Sequence, residues 1–305
     1  MPSRRSSGPA QGDGGMTYIL YNPLGNGGHG TRGLDRVKAA FREEDPRPVD
    51  ITALDTAAFL APLTAEDKVI LCGGDGTIHR LVNDLEGKAP AVPVYIWRFG
   101  TGNDFLRDTA AAGESMVLLN GYMHNLPVAR FEGRTMRFLN GCSCGVDAVV
   151  CAMMAENLSK PKKSGYAENA IRSFFRRYKP LSGRVTVDGE TREYERIWMA
   201  GTLNGRYQGG GMKFAPDQDR NGDTLTCLVW HGASALSTLL HFPAVIPGKH
   251  TGFASCDMRT GREITVELDG PTMIQLDGEV TENVTGYTAR KKNTSSADQR
   301  RELSF

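Results

Sequence analysis

The sequence predicts an α/β domain followed by a mainly antiparallel β domain. The chain has 305 residues, which is long for a single hydrophobic core. Its first part alternates strand-like and helix-like segments, and its second half alternates apolar and polar residues around short turns. These patterns place the α/β domain at residues 17–125 and the β domain at 126–285. The polar segment 1–16 is expected to be disordered, and 286–305 to return in part to the first domain or to fray.

The first domain is expected to be a parallel sheet covered by helices, because strand-length apolar runs recur with helical patterns between them. The strand-like runs are TYILY, PVDIT, KVILC and VPVYIW. The helical patterns lie at about residues 31–42, 57–63, 78–85 and 104–109. Ligands of such sheets bind beyond the carboxyl ends of the strands.

The second domain is expected to be built from hairpins. LPVARFEGRTMRFLNGCS predicts two strands around Glu132 and Gly133, and GRVTVDGETREYERIWMAGTLN repeats the pattern around Asp188 and Gly189. TLTCLVW, REITVEL and TMIQLDGE predict further strands. The apolar stretch ASALSTLLHFPAVIPG predicts a core-facing helix that ends before Pro243.

Composition narrows the function classes. The net charge of +1 gives no overall reason to expect nucleic acid as a partner. No apolar run reaches the roughly 18 to 20 residues that span a bilayer. The six cysteines lack the spacing of a zinc site and predict buried free thiols in a reducing cytosol. No secretory leader is visible, and Met16, directly before the first strand, is a candidate start codon.

Three glycine-rich turns each follow a predicted strand of the first domain. They are YNPLGNGGHG, GGDGT and FGTGND. One such turn is weak evidence, but three at the same edge of a sheet indicate a site where backbone N–H groups and helix N-termini meet an anion. None contains a lysine, so the Walker-type phosphate loop is excluded, and the dinucleotide fingerprint is not met either.

Asp75, at the centre of GGDGT, should repel a phosphate. A helix terminus contributes only about 0.3–1 kcal/mol, whereas a carboxylate about 4 Å from a phosphate charge costs about 4 kcal/mol at an effective dielectric of 20. A divalent cation between the two reverses the sign, and Mg²⁺ binds through carboxylates and substrate phosphates. Asp75 therefore predicts Mg²⁺ and a nucleoside triphosphate. Capping of the following helix by Asp75 is the alternative, and it can coexist with metal binding.

A second acidic pair, Asp277 and Glu279, follows a strand-like run in IQLDGEV. Asp-Gly is a common hairpin turn, and the similar VDGE at Asp188 is interpreted as an ordinary one. Transfer of phosphate to a hydroxyl needs a carboxylate near the nucleophile, so both residues are candidates, and spacing alone does not select between them.

Five segments together resemble the diacylglycerol kinase catalytic-domain family, which includes bacterial lipid kinases and the sphingosine and ceramide kinases. In order they are YNPLGNG, GGDGT, FGTGNDFLRD, NGRYQGGGMKFAP and LDGE. The resemblance spans about residues 17–290 and implies a nucleotide-binding α/β layer shared with NAD kinases, followed by a β-sandwich, with ATP between them. It implies an ATP- and Mg²⁺-dependent kinase that phosphorylates a lipid hydroxyl, most simply that of diacylglycerol, to give phosphatidic acid. An NAD kinase and a nucleotide-binding regulator without activity remain the alternatives.

The resemblance also implies roles for individual residues. Asp277 and Glu279 match the catalytic pair, with Asp277 expected as the base. His79 and Arg80 lie just beyond the main phosphate turn, and Asp75 is the expected metal ligand. The implied ATP-binding residues are Asn22, Pro23, Gly25, Asn26, Gly27, Thr52, Gly73, Gly74, Asp75, Gly76, Thr77, Gly100, Thr101, Asn103 and Asp104.

Departures from the family pattern concern a structural metal site and two single residues. Bacterial members carry a structural Mg²⁺ site around an Asp-Gly that is Asn221-Gly222 here, so Asp219 or Asp223 would have to supply the ligand. Arg98 stands where proline is usual, either as a replacement basic group near the phosphates or as a surface residue. Pro127 stands where an aspartate is frequent.

A basic, aromatic segment, SKPKKSGYAENAIRSFFRRYKP at residues 159–180, is a candidate for membrane contact. An ordinary surface helix with its aromatic face in the core is the alternative. The expected partners are ATP and a lipid at the membrane surface, with no nucleic acid, and the sequence leaves a homodimer open. The expected location is cytoplasmic, peripheral to the inner face of the membrane.

Overall fold

The first domain is a mixed five-stranded sheet in the order β2-β1-β3-β4-β5. The computed structural model describes residues 15–23, 30–99, 102–157 and 178–291. The strands are β1 (Thr17–Tyr21), β2 (Arg47–Asp50), β3 (Lys68–Gly73), β4 (Val94–Arg98) and β5 (Met116–Leu118). The first four run parallel, as the alternating pattern predicts, and β5 adds an antiparallel edge strand that the pattern did not indicate.

Helices cover both faces of this sheet. They are α1 (Gly30–Ala40), α2 (Thr56–Leu60), α3 (Asp75–Asp84) and α4 (Asp104–Thr109), with short 3₁₀ turns at Arg42–Glu44 and Asn120–Tyr122. Leu71 of β3 belongs to the core that contains residues of α3 and α4, whereas its neighbour Ile70 packs with Val37 of α1. Burial on both faces explains why β3 reads as a continuous apolar run.

The strand order places a topological switch point between β1 and β3. The chain leaves β1 toward β2 on one side, whereas it leaves β3 toward β4 on the other. The connections that follow these two strands therefore separate at the carboxyl edge of the sheet and leave a crevice there. This edge carries Asn22 after β1, the GGDGT turn after β3 and Asn103 after β4.

The second domain is an antiparallel sheet, which confirms the predicted fold class. Its ten described strands are β6 (Val128–Phe131), β7 (Arg134–Arg137), β8 (Gly141–Gly145), β9 (Leu181–Val187), β10 (Glu190–Ile197), β11 (Met199–Leu203), β12 (Leu225–Trp230), β13 (Cys256–Gly261), β14 (Glu263–Leu276) and β15 (Glu279–Arg290). Two helices accompany them, α5 (Val146–Asn157) and α6 (Ala235–His241), with 3₁₀ turns at Phe242–Val245 and Lys249–Gly252.

The long strand β14 folds this sheet around a common core. Its residues 264–268 pair with β9, and its residues 274–276 pair with β8, with register shifts in between. Ile264 and Ile274, from the two halves, lie in one buried cluster. β15 pairs with β14 and β6 and runs to Arg290, so the strand continues past the predicted domain boundary at residue 285.

Two expectations about the second domain have different outcomes. The helix expected within residues 233–248 ends at His241, before Pro243, but it does not face the core, because Leu236 and Leu240 are exposed. Most of the basic segment 159–180 lies outside the described residues.

All six cysteines fall within the described ranges and are free thiols, five of them buried. Every described helix is too short or too polar to cross a bilayer.

Candidate active site

A cleft of about 860 Å³ opens at the carboxyl edge of the first sheet and is closed on its other side by the second domain. Arg134, Met136 and Thr281 of the second domain line it. The predicted residues that line it are Asn22, Gly73, Gly74, Asp75, Gly76, Thr77, His79, Arg80, Asn103 and Glu279. The structure therefore brings Asn22, the GGDGT turn and Asn103 together with Glu279.

Other predicted residues lie away from this lining. Thr52 donates its hydroxyl to Asp50 Oδ1 at 2.7 Å, beside the lining residue Ile51. Arg98 is exposed and does not line the cleft. Pro23, Asp104, Asp219, Asp223 and Asp277 are also absent from the lining. Gly25, Asn26, Gly27, Gly100 and Thr101 lie outside the described residues.

Several lining residues were not identified from the sequence. Asn83 lies one helical turn after His79 on α3, so helical spacing from the GGDGT turn could have indicated it. Arg134 and Met136 come from β7, and no local pattern distinguishes them from any other hairpin residue.

The GGDGT turn closes tightly onto the start of α3. A Cβ atom on Gly73 would lie 2.5 Å from the Cβ and Oγ1 atoms of Thr77, so a larger residue cannot occupy this position without a shift. A Cβ atom on Gly76 would lie 3.6 Å from Oε1 of Glu279. Glu279 therefore lies next to the first turn of α3, and a helix N-terminus is in general a favourable place for an anion.

Asp75 caps a helix other than the one it begins. Its Oδ2 accepts the backbone N–H of Asp104 at 2.9 Å, and its Oδ1 accepts that of Phe105 at 2.9 Å. Oδ1 also accepts the side-chain amide of Asn140 at 3.2 Å. The carboxylate in the glycine-rich turn therefore satisfies the N-terminus of α4 and links the turn after β3 to the turn after β4. The capping alternative thus holds, but for α4 rather than for α3.

Asp277 is buried in a cage of hydrogen-bond donors. Its Oδ2 accepts the N–H of Leu139 at 2.7 Å, and its Oδ1 accepts those of Asn140 at 2.8 Å and Gly141 at 3.2 Å. Nδ1 of His79 donates to Oδ2 at 3.0 Å, and none of the Asp277 side chain is exposed. Both oxygens of Asp277 are therefore occupied by donors, and the side chain does not line the cleft.

His79 connects the two domains through this contact. Burial alone would lower the pKa of His79, but the hydrogen bond and charge of Asp277, with a further contribution from Glu279, raise the pKa above its usual value. Its Nε2 lies 3.4 Å from the side-chain amide of Asn83. The contact with Asp277 therefore favours the imidazolium form of His79 at the base of the cleft.

A tight turn orients Asp277 and Glu279 in different directions. Asp277 and Gly278 adopt positive φ angles of 49° and 98°, which is typical of a two-residue hairpin, and Leu276 pairs with Glu279 across it. Asp277 points into the cage between the domains, whereas Glu279 begins β15 at the cleft. The LDGE segment therefore supplies one buried anchor and one cleft-facing carboxylate.

A network of charged side chains holds Asn140 in place. The carboxylate of Asp108 accepts hydrogen bonds from Nε of Arg206 at 2.6 Å and from Nε of Arg220 at 2.9 Å. Arg220 donates to Oδ1 of Asn140 at 2.7 Å, which turns the amide NH₂ of Asn140 toward Asp75. The chain of contacts from Asp108 to Asp75 crosses from the first domain to the second and back, so it fixes the width of the cleft.

Asp104 joins α4 to the glycine-rich segment of the second domain. Its carboxylate accepts the N–H of Gly210 at 2.8 Å and that of Gly211 at 2.6 Å. Burial raises the pKa of Asp104 to about 6, against the opposing effect of these hydrogen bonds. Asp104 therefore joins the two domains rather than lining the nucleotide cleft.

The residues expected to hold a structural Mg²⁺ do not fit one. Such a site would need backbone carbonyls beside Asp219 or Asp223, but the carbonyl of Arg220 accepts the ammonium of Lys291 at 2.6 Å. Lys291 also donates to Oδ1 of Asn204 at 2.7 Å and is 1% exposed. Burial lowers the pKa of Lys291 to about 8, although the charges of Asp219 and Asp223 oppose this shift. A lysine ammonium thus occupies the loop in which a cation was expected.

Chelation of metal ions is therefore expected to leave the stability of the protein unchanged. Removal of the Lys291 ammonium is expected to lower it. EDTA should not shift the thermal midpoint of the nucleotide-free protein. Lys291→Met should lower the free energy of unfolding by about 1–3 kcal/mol, because Asn204 and Arg220 each lose a buried donor. Lys88→Met, at an exposed lysine paired with exposed Glu86, is the control. A midpoint that rises by several degrees with Mg²⁺ alone would contradict the assignment.

Comparisons with known proteins match both domains. Residues 16–125 match the family described as the diacylglycerol kinase catalytic domain. Residues 140–290 match the family described as the YegS C-terminal NAD kinase beta sandwich-like domain. Together these two matches account for both folded parts of the chain.

Curated relatives and a solved structure agree with these families. A diacylglycerol kinase of Staphylococcus saprophyticus is 24% identical over 275 residues, covering 86% of this chain and 88% of the relative. A diacylglycerol kinase of Bacillus subtilis is 22% identical over 277 residues, with the same shares covered. A solved diacylglycerol kinase structure from Bacillus anthracis has a TM-score of 0.58 at 17% identity, covering 92% of this chain and 95% of that one. This last likeness shows the fold.

Proposed function

The chain belongs to the diacylglycerol kinase family of lipid kinases, and from this premise we propose that it transfers the γ-phosphate of ATP to the hydroxyl of diacylglycerol, giving phosphatidic acid. The acceptor is a membrane lipid, so the protein is placed at the inner face of the cytoplasmic membrane as a peripheral enzyme. ATP is the proposed donor because the cleft combines a glycine-rich turn with a helix N-terminus.

One observation carries the proposal: a cleft-facing carboxylate stands opposite the phosphate-binding turn. Oε1 of Glu279 lies 3.6 Å from the position of a Cβ atom on Gly76. A hydroxyl placed between Glu279 and the γ-phosphate would have a proton acceptor on one side and its electrophile on the other. Phosphoryl transfer depends mainly on such positioning, since the protein forms no covalent bond in a direct transfer.

Glu279 is the proposed base, and Asp277 is proposed as a positioning residue. The family resemblance favoured Asp277 as the base, but its two oxygens already accept three backbone N–H groups and His79. Glu279 lines the cleft, and among the residues that the structure describes its carboxylate has no comparable set of donors. Asp277 therefore acts through the backbone by holding the hairpin in place so that Glu279 faces the turn.

Cationic side chains and helix dipoles compensate the charge of the phosphates. Arg80 and Arg134 line the cleft, and the raised pKa of His79 favours its charged form at the base of the cleft. Arg80 is partly engaged by Asp84, whose carboxylate lies 3.6 Å away in an exposed pair. The N-terminus of α3 lies in the same region. Its dipole and the cationic side chains together stabilise the negative charge that builds up in the transition state.

Mg²⁺ fits this site as a companion of ATP. Within the described part of the chain, Oδ2 of Asp75 accepts one hydrogen bond, from the N–H of Asp104, which leaves a lone pair for a water molecule of a hydrated ion. Asp75 is the carboxylate that would hold such an ion near the triphosphate. When bound, Mg²⁺ would neutralise charge on the phosphates and on the departing ADP.

Labelled phosphate and a panel of acceptors test the proposal. The wild-type protein should transfer label from ATP to diacylglycerol in mixed micelles, and more slowly or not at all to sphingosine, ceramide or NAD. Label on NAD would indicate an NAD kinase instead. ATP binding without transfer to any acceptor would indicate a nucleotide-binding regulator.

A further inference from the structure

Four exposed apolar side chains form one surface on the second domain, named here the leucine platform. Leu236, Leu239 and Leu240 of α6 are 66%, 36% and 68% exposed, and Ile246 shortly after the helix is 64% exposed. Among the described residues, these are four of the five exposed large apolar side chains, and the fifth, Leu118, belongs to the first domain. Apolar exposure concentrated in this way marks an interaction surface.

Helix α6 buries a polar side chain and exposes apolar ones, which is the reverse of the usual pattern for a surface helix of a soluble domain. Its buried side chain is Thr238, which is 2% exposed and whose hydroxyl has no hydrogen-bond partner in the described part of the chain. Helices on soluble domains normally bury leucine and expose threonine. The arrangement exchanges the usual positions and points two leucines, Leu236 and Leu240, away from the core.

The platform is held firmly from below. Phe242, directly after α6, packs against Trp230 with ring centroids 6.2 Å apart and against Phe214 at 6.5 Å. Val245 is fully buried, and its carbonyl accepts the N–H of Lys213 at 3.0 Å. The segment that bears the exposed leucines is therefore anchored on a packed aromatic layer.

The charge around the platform suits an anionic partner. The sequence from His231 to Ser255 contains no aspartate or glutamate. Exposed Lys249 and His241 lie within this stretch. Within this stretch of the chain, exposed apolar side chains are thus accompanied by basic residues and by no acidic one, which is typical of a segment that enters the interface of an anionic bilayer.

One short segment connects the platform to the catalytic cleft. Lys213, which bonds to Val245 under the platform, follows Gly210 and Gly211 by only a few residues. These two glycines donate to Asp104 at the start of α4, next to the cleft residue Asn103. Segment 210–213 therefore joins the underside of the platform to the start of α4 beside the cleft.

We propose that the leucine platform inserts into the headgroup region of an anionic lipid bilayer and presents the cleft to its lipid substrate. The choice of a bilayer as the occupant rests on the proposed lipid kinase function. The surface is separate from the basic segment 159–180, and it has its own apolar and basic groups within the described residues.

Vesicle binding without nucleotide tests the proposal. The wild-type chain should co-sediment with vesicles of phosphatidylcholine and phosphatidylglycerol. Combined Leu236→Ser, Leu240→Ser and Ile246→Ser should weaken this binding by about tenfold or more, because the inserted apolar area is lost. Leu118→Ser is the matched control and should bind as the wild type does. Lys249→Glu should weaken binding to anionic vesicles but not to phosphatidylcholine alone.

Three results separate the outcomes. If the triple variant binds as tightly as the wild type, the platform is not the docking surface and the proposal is overturned. It is equally overturned if the triple variant keeps vesicle binding but loses self-association in sedimentation velocity, because the platform is then a contact between two copies. Turnover of short-chain diacylglycerol in detergent micelles should be unchanged in the triple variant, and its absence in the wild type would refute the kinase function while leaving the binding result standing.

Discussion

Glu279→Gln is expected to reduce phosphate transfer to diacylglycerol by about 10²–10⁴-fold while the protein stays folded. Glutamine keeps the size of the side chain at the mouth of the cleft but accepts no proton at neutral pH. The loss should appear in kcat, with the KM for ATP little changed, because Glu279 faces the phosphate-binding turn and is proposed to act on the acceptor hydroxyl. Initial rates with labelled ATP in mixed micelles measure the effect.

The control for this variant is Glu282→Gln, at an exposed glutamate three residues further along β15. It changes the same charge on the same strand but lies outside the lining of the cleft. Its activity should equal that of the wild type. Glu279→Gln with more than about a third of wild-type kcat would remove Glu279 from the role of base.

Asp277→Asn is expected to destabilise the fold by about 3 kcal/mol, because it leaves buried donors without an anionic acceptor. His79 loses its anionic partner. The NH₂ group of the introduced asparagine faces a backbone N–H group that donated a hydrogen bond to Asp277. Asparagine tolerates the positive φ of this position, so backbone strain does not account for the loss. Urea unfolding measures the change.

The VDGE hairpin, which has a similar sequence to LDGE, provides a matched control variant, Asp188→Asn. Asp188 has a φ of 48°, close to the 49° of Asp277, and it also accepts backbone N–H groups, at 2.9 Å from Arg262 and 2.8 Å from Glu263. Asp188 is exposed, so its substitution should cost about 1 kcal/mol or less.

The pH dependence distinguishes an ionic role for Asp277 from a merely structural one. The raised pKa of His79 contributes stability that is fully present below the unfolded value of about 6.5 and is lost as pH rises through the folded pKa. The stability gap between the wild type and Asp277→Asn should therefore be larger near about pH 6 than near about pH 9. An Asp277→Asn protein that is as stable as the wild type at both pH values but inactive would make Asp277 the base instead.

The sequence predicted the fold and the edge of the sheet that carries the site, because both follow from local patterns. Alternating runs identified the parallel strands, and three glycine-rich turns marked the edge at which Asn22, Asp75 and Asn103 meet. The pairing of LDGE with this edge depended on the family resemblance, since VDGE at Asp188 forms a similar hairpin far from the cleft.

The remaining features depend on contacts between residues that are distant in the chain. Asp75 caps a helix that begins 29 residues later and contacts Asn140, 65 residues away, so no local pattern indicates that it is a cap for α4. The cage around Asp277 is made of backbone groups 136 to 138 residues earlier. The exposure of Leu240 depends on the aromatic layer under Phe242, and periodicity alone predicted the opposite orientation.

The most direct test of the account is to identify the product formed from γ-labelled ATP and diacylglycerol by the wild-type protein. The account predicts that the label is recovered in phosphatidic acid, that transfer requires Mg²⁺, and that Glu279→Gln forms little of this product. Label recovered only in inorganic phosphate or in NADP, with none in lipid, would contradict it.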